Sequence, residues 1–145
     1  MAVEHQEDMI RDRFTLASMS LMRWKRKLPP VALDKRLAAW NEPDPSLIRA
    51  PIDDALAPGV RFVDPSIDLQ GIADFEANVH KVRAGLRGAT YSRTSGVDSQ
   101  HGFHRYHWAI HQGEELVLAG FDFTEIDQDN RVVGAIGFFG PVPEK

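Results

Sequence analysis

Residues 103–139 read FHRYHWAIHQGEELVLAGFDFTEIDQDNRVVGAIGFF. Apolar and polar side chains alternate through most of this stretch, the period of a half-buried strand. Two interruptions, Gln112-Gly113 and the run 127–130, carry turn residues. The stretch is therefore expected to form three antiparallel strands over 103–111, 116–126 and 131–139. With Gln112-Gly113 as a two-residue turn, His111 pairs with Glu114, Arg105 with Gly120 and Phe103 with Asp122. A four-residue turn at 127–130 puts Asp122 opposite Ala135 and Gly120 opposite Gly137. Directly paired side chains share a face. One face then carries Arg105, His107, Gly120, Asp122, Ala135 and Gly137. The other carries Tyr106, Trp108, Phe121, Phe123, Ile136 and Phe138. A slip of one residue in either turn exchanges every assignment.

These faces admit two readings. The greasier one can be the core, with Asp122 and Arg105 in water. Alternatively, the small residues Gly120, Ala135 and Gly137 leave volume for a cavity where Arg105, His107 and Asp122 converge. The aromatic face is then a dimer interface, because a monomer does not leave so much apolar area wet.

Working upstream, a further strand is expected over 90–94. Before it the period is helical. Gly71 precedes a helix with Ile72, Phe75, Val79, Val82 and Leu86 on one side, and Gly88 stops it. Residues 60–64 form a strand closed by Pro65, and Pro58-Gly59 ends the helix before it. In that earlier helix Asp44 is the N-cap, Pro45 opens the first turn, and Pro51 is expected to strain or kink it. A short helix runs through Leu33, Leu37 and Trp40. Ile10, Phe14, Ala17, Leu21, Trp24 and Leu28 mark one more apolar stripe, with a basic run at its end and Pro29-Pro30 as its stop. Helices followed by a meander define an α+β arrangement. Residues 1–30 are read as a helical extension and 31–145 as the α+β domain.

Composition narrows the function. The 145 residues suit one domain, with 43% hydrophobic and 26% charged residues. A net charge of −4 argues against nucleic-acid binding. The absence of cysteine excludes thiolate metal sites and cysteine nucleophiles. No apolar run reaches the ~20 residues of a membrane span. The acidic first residues do not read as a signal peptide, so a cytoplasmic protein is expected. His101, His104, His107 and His111 invite a metal reading, but on a strand His104 and His107 point to opposite faces. No metal is expected, and no phosphate loop or nucleophile elbow is present.

Several segments together resemble the nuclear transport factor 2-like superfamily, and within it the SnoaL-like, polyketide cyclase-type branch. They are Leu37-Ala38-Ala39-Trp40-Asn41-Glu42-Pro43-Asp44, Phe62-Val63-Asp64-Pro65, Thr94-Ser95-Gly96-Val97-Asp98, and Gly120-Phe121-Asp122 through Gly137-Phe138-Phe139-Gly140. The likeness spans roughly residues 33 to 141. It implies helices packed on a curved antiparallel sheet, a cone whose concave face lines a pocket and whose convex face forms a homodimer. Ketosteroid isomerases of this superfamily place a general-base Asp where Asp64-Pro65 stands and a protonated Asp where Asp122 stands. Their first conserved helix supplies a Tyr, and this chain has Arg36 and Leu37 in that neighbourhood.

The resemblance therefore implies Asp64 and Asp122 as an acid/base pair. Two carboxylates over an apolar pocket can divide labour, one ionised as base and the other desolvated and protonated as donor. Phe62, Phe75, Arg105, His107 and Phe139 are expected on the pocket walls. Trp40 and Asn78 complete the ligand-binding set. The expected function is a cofactor-independent isomerase, aldol cyclase or lyase acting on a small apolar carbonyl compound. The alternative is a ligand-binding or interaction module without chemistry. For Asp64 the plain alternative is that an Asp before Pro closes a strand by accepting backbone hydrogen bonds.

Overall fold

The computed structural model describes residues 30–145. The helix expected over 10–28 lies outside the described residues. Helix α1 is Val31–Asn41, entered from Pro30. It buries Ala32, Leu33, Arg36 and Ala39, a stripe at helical spacing with one charge in it. Asp44 accepts the backbone N–H of Ser46 at 2.9 Å and opens a single 3-10 turn, Pro45–Leu47. Helix α2, Arg49–Ala55, follows. Pro51 falls in its first turn, where a backbone N–H has no acceptor inside the helix, so no kink is needed.

Strand β1, Leu56–Asp64, begins directly after α2. The expected stop at Pro58-Gly59 is instead a bulge within the strand. Leu56 pairs with Val132 and Arg61 with Gly134, so β1 carries three more residues than its partner over that interval. A proline that cannot donate to the ladder sits without penalty in such a bulge. The short strand β2, Ile67–Gln70, folds back on β1. Gly71, at φ +89°, donates to the Val60 carbonyl at 2.7 Å and launches helix α3, Ile72–Gly85. Then come β3 (Thr90–Arg93), β4 (Asp98–Gln100), β5 (Phe103–Gln112), β6 (Glu115–Ile126) and β7 (Val132–Phe139). The strands β2 and β4, of four and three residues, are not among those expected from the sequence.

The sheet order is β2-β1-β7-β6-β5-β3, with β4 beside the start of β5. The α+β architecture is as expected. One pairing departs from the expected antiparallel sheet: β1 and β7 run parallel, which makes the sheet mixed. The helices cover one face, and Ile48, Ile52, Leu56, Val60, Phe75 and Val79 form the core between the layers.

The register of β5 on β6 is the main correction. The turn is Gly113-Glu114, with Gln112 opposite Glu115 and Gly113 at φ +60°. This shifts the expected register by two, which alone keeps each residue on its face. But His111 pairs with Leu116 while Ile110 pairs with Leu118. Val117 is an extra residue, a bulge, and that single insertion reverses parity for the rest of β5. Asp122 therefore pairs with Tyr106, not Phe103. Arg105 and His107 move to the outer face, and Tyr106 and Trp108 move to the inner one. On the other side Asp122 pairs with Gly137 rather than Ala135, a shift of two that preserves the face.

Gly120 shows how tightly the inner face is built. A β-carbon there would overlap the Phe138 carbonyl oxygen and lie 2.7 Å from Trp108 Cζ2. Gly120→Ala should cost at least about 2 kcal/mol. Gly96→Ala, with nothing within 4 Å, should stay within about 0.5 kcal/mol of wild type. Urea denaturation checks both.

Candidate functional site

The concave face of the sheet and the inner sides of α1 and α3 enclose a cavity of about 300 Å³. Leu33, Leu37, Val82, Leu86, Ile110 and Leu118 give it largely apolar walls. This is the lower end of the range for ligand pockets. Asp64 and Asp122 both open into it, as expected. They lie on either side of Gly137. A β-carbon on Gly137 would meet Asp122 Oδ1 at 3.0 Å and the Asp64 β-carbon at 3.4 Å. Glycine at this position leaves both carboxylates room.

Asp122 is only 4% exposed. Its Oδ1 accepts the Trp108 indole N–H at 2.8 Å. Its Oδ2 accepts from Nη2 of Arg36 in a direct ion pair and from the Tyr106 hydroxyl at 3.3 Å. Nη2 of Arg36 also donates to the Tyr106 oxygen at 2.7 Å. Arginine and the indole nitrogen can only donate. Asp122 in this setting is an acceptor. The expectation that it holds a proton and donates it does not fit this arrangement. Nor is its partner Arg105, which pairs with Asp98 at 2.6 Å on the outer surface.

Arg36 reaches the site from α1 and is 6% exposed. Its Cζ lies 5.5 Å from the Phe62 ring centroid, a cation–π contact. Burial works against its charge. Tyr106 and Asp122 outweigh that through attraction and hydrogen bonds, and the guanidinium holds its proton above its ordinary range. Its Nη1 is buried and has no hydrogen-bond partner among the described residues. The Tyr91 hydroxyl, on another wall, is likewise buried without a partner among them.

Asp64 is half-buried at the end of β1. Its Oδ1 accepts the Ser66 N–H and hydroxyl, each at 2.7 Å, and the Ile67 N–H at 3.1 Å. The strand-closing role is thus real. All three bonds fall on one oxygen, and none of the described donors takes Oδ2.

Among the other expected site residues, Trp40, Phe62, Asn78 and Phe139 line the cavity. Phe75 does not. It lies in the core behind Trp40 and Phe62, edge-on to both rings at 5.9 and 5.4 Å. His107 is exposed on the outer face, its ring 6.0 Å from Phe121. Sequence reasoning missed Arg36, Tyr106 and Trp108 as site residues. The last two were lost with the Val117 bulge. For Arg36 a signal existed: a charge on the buried stripe of α1 requires an internal partner. Among the described residues no three potential ligands converge as a metal site.

With this geometry in hand, the class of protein follows. The chain has the nuclear transport factor 2-like fold, and its structural neighbours are nuclear transport factor 2-like and SnoaL-like proteins. One is a SnoaL-like family protein of Agrobacterium tumefaciens with a suggested isomerase activity. It is 25% identical with a TM-score of 0.71, covering 77% of this chain and 96% of that one. A nuclear transport factor 2-like protein of unknown function from Exiguobacterium superposes at 0.63 with 14% identity, over 77% of this chain and 99% of that one. A protein of Jannaschia, suggested to be a SnoaL-like polyketide cyclase, superposes at 0.59 with 11% identity, over 79% and 90%. No family model and no curated protein sequence matches the chain. No described helix is long and apolar enough to cross a membrane.

Burial pushes the Tyr106 phenol up, against the pull of Arg36, and burial likewise raises Tyr91. These are the chain's two tyrosines. Neither should ionise at the ordinary value of about 10. Above that pH the unfolded chain releases protons that the folded one retains, so stability should fall as pH rises through 10. Ultraviolet titration should show both phenolates appearing above that value.

Proposed function

We propose that the chain is a small-molecule pocket protein and a cofactor-independent acid/base enzyme for an apolar carbonyl compound, of isomerase, aldol cyclase or lyase type. The observation that carries this reading is the pair Asp64 and Asp122, flanking Gly137 at the floor of one apolar cavity. The two are not equivalent. Asp64 is the base: its Oδ1 is tied into the turn, which fixes the side chain and leaves Oδ2 to take a proton next to a carbonyl. Asp122 is the anchor. It holds the Arg36 guanidinium, whose Nη1 has no partner among the described residues, at the opposite side, where charge on the carbonyl oxygen develops as the proton leaves. Low-dielectric walls strengthen that stabilisation. The suggested isomerase and cyclase assignments of the neighbours point the same way.

Proton exchange tests this reading directly. An apolar enolisable ketone such as 2-tetralone, incubated with the protein in D2O, should exchange its α-protons faster than in buffer. Asp64→Asn keeps the Oδ1 acceptor of the turn but removes the base, and should slow the catalysed exchange about 10²- to 10⁴-fold. Ligand binding should be retained. Exchange equally fast in wild type and variant, by proton NMR, would leave the binding module as the correct reading.

We also propose a homodimer through the outer sheet face. Phe121 and Phe138 stack there at 5.0 Å, flanked by Phe123 and Ile136, which are 41% and 48% exposed. Trp108, expected on this face, is in the cavity instead. Light scattering at micromolar concentration should give twice the mass of one chain, and Phe138→Glu should halve it. A monomeric wild type would contradict the assignment.

A further inference from the structure

The Arg36–Asp122 contact is an incomplete fork. A carboxylate and a guanidinium can meet through two parallel hydrogen bonds. Here Asp122 Oδ1 receives the Trp108 indole N–H, and arginine reaches Oδ2 alone. Nη2 bonds both that oxygen and the Tyr106 hydroxyl oxygen. Nη1 carries two further N–H bonds, is buried, and has no acceptor among the described residues. An unmade hydrogen bond on a buried charged group costs more than one on a neutral group. Arg36 is a wall of the cavity, and its guanidinium is held from one side by Asp122 and from another by the Phe62 ring. Nη2 serves the fold, and Nη1 is left without an acceptor among the described residues.

We propose that Nη1 of Arg36 is a ligand-binding group and that the cavity selects compact apolar compounds bearing negative charge on a planar oxygen, a carboxylate or an enolate. The inference rests on the reading of this cavity as a small-molecule site and deepens it. A neutral carbonyl can accept a hydrogen bond from Nη1, but a charged oxygen gains more, because charge-assisted bonds are roughly twice as strong. Asp122 balances the charge of Arg36, so the preference comes from the directed bonds that Nη1 can still make rather than from net charge. The same contact would strengthen as a carbonyl becomes an enolate, so selection for anions and stabilisation of the enolate have one origin.

The test is calorimetry at pH 7 with three probes of similar shape. They are naphthalene-2-carboxylate, its neutral analogue 2-acetylnaphthalene, and 1,3-indandione, which ionises to an enolate near neutral pH. At least one anion should bind tenfold or more tighter than the ketone, and which one does so separates carboxylate from enolate. Arg36→Lys keeps a cation beside Asp122 but has one terminal nitrogen where arginine has Nη1 and Nη2. It should erase the anion preference and leave binding of the ketone within a few-fold. Arg36→Met combined with Asp122→Leu replaces the buried pair by apolar side chains, a change proteins tolerate. It should bind the ketone alone. A ketone that binds as tightly as both anions, or an anion preference that survives Arg36→Lys, would overturn the inference. Either result leaves the Asp64 exchange experiment standing. Anion binding without α-proton exchange would instead refute the acid/base reading and keep this one.

Discussion

The ion pair between Arg36 and Asp122 is the constraint on which the rest of the site depends. It joins α1 to the middle of β6 across 86 residues of sequence, with both side chains more than nine-tenths buried. Removing two charges from water is expensive, and deleting one partner would strand the other at a cost of roughly 3–5 kcal/mol. The protein offsets the cost with geometry. Trp108 and Tyr106 donate to the carboxylate, and Phe62 stacks beneath the guanidinium. The five residues come from four elements: α1, β1, β5 and β6. The pair therefore registers the helical layer against the sheet, as well as setting the electrostatics of the cavity.

Room for this arrangement is created by absent side chains. Gly120 lets the Trp108 ring lie against the sheet, so that its N–H reaches Asp122. Gly137 keeps the space between the two carboxylates open. Behind the site, Phe75 packs edge to face on Trp40 and Phe62 and fixes the wall without touching the cavity itself. Function and packing are separated by one layer: Phe75 supports the two rings that line the space.

Much of this was legible in the chain before folding. The period-two stretch from 103 to 139 announces three strands, and Gly71, Asp44 and Pro65 mark boundaries where the structure has them. The alternation around Asp122 groups it with Gly137 on one face, a grouping that survives because shifts of two residues in a hairpin leave faces unchanged, and the family resemblance points to Asp64. The errors have a common physical source. Arg105 and His107 were assigned to the cavity, and Tyr106 and Trp108 to the outside, because one unpaired residue, Val117, reverses the pleat. A bulge has no sequence signature comparable to a turn, since its cost and benefit depend on curvature set by the whole sheet.

The sequence by itself determined the α+β class, the main strands, and the presence of small residues and carboxylates along one side of the sheet. These rest on local periodicity and backbone chemistry, which act over a few residues. Only the tertiary structure decided that Asp122 meets Arg36 rather than Arg105, that β1 runs parallel to β7, and that Asp64 spends one oxygen on its turn. Those outcomes depend on which buried charge finds which partner once the layers close. In the unfolded chain Arg36 and Asp122 are both solvated, and neither prefers the other. Desolvation under the helices makes their pairing compulsory, and desolvation is a property of the assembled fold.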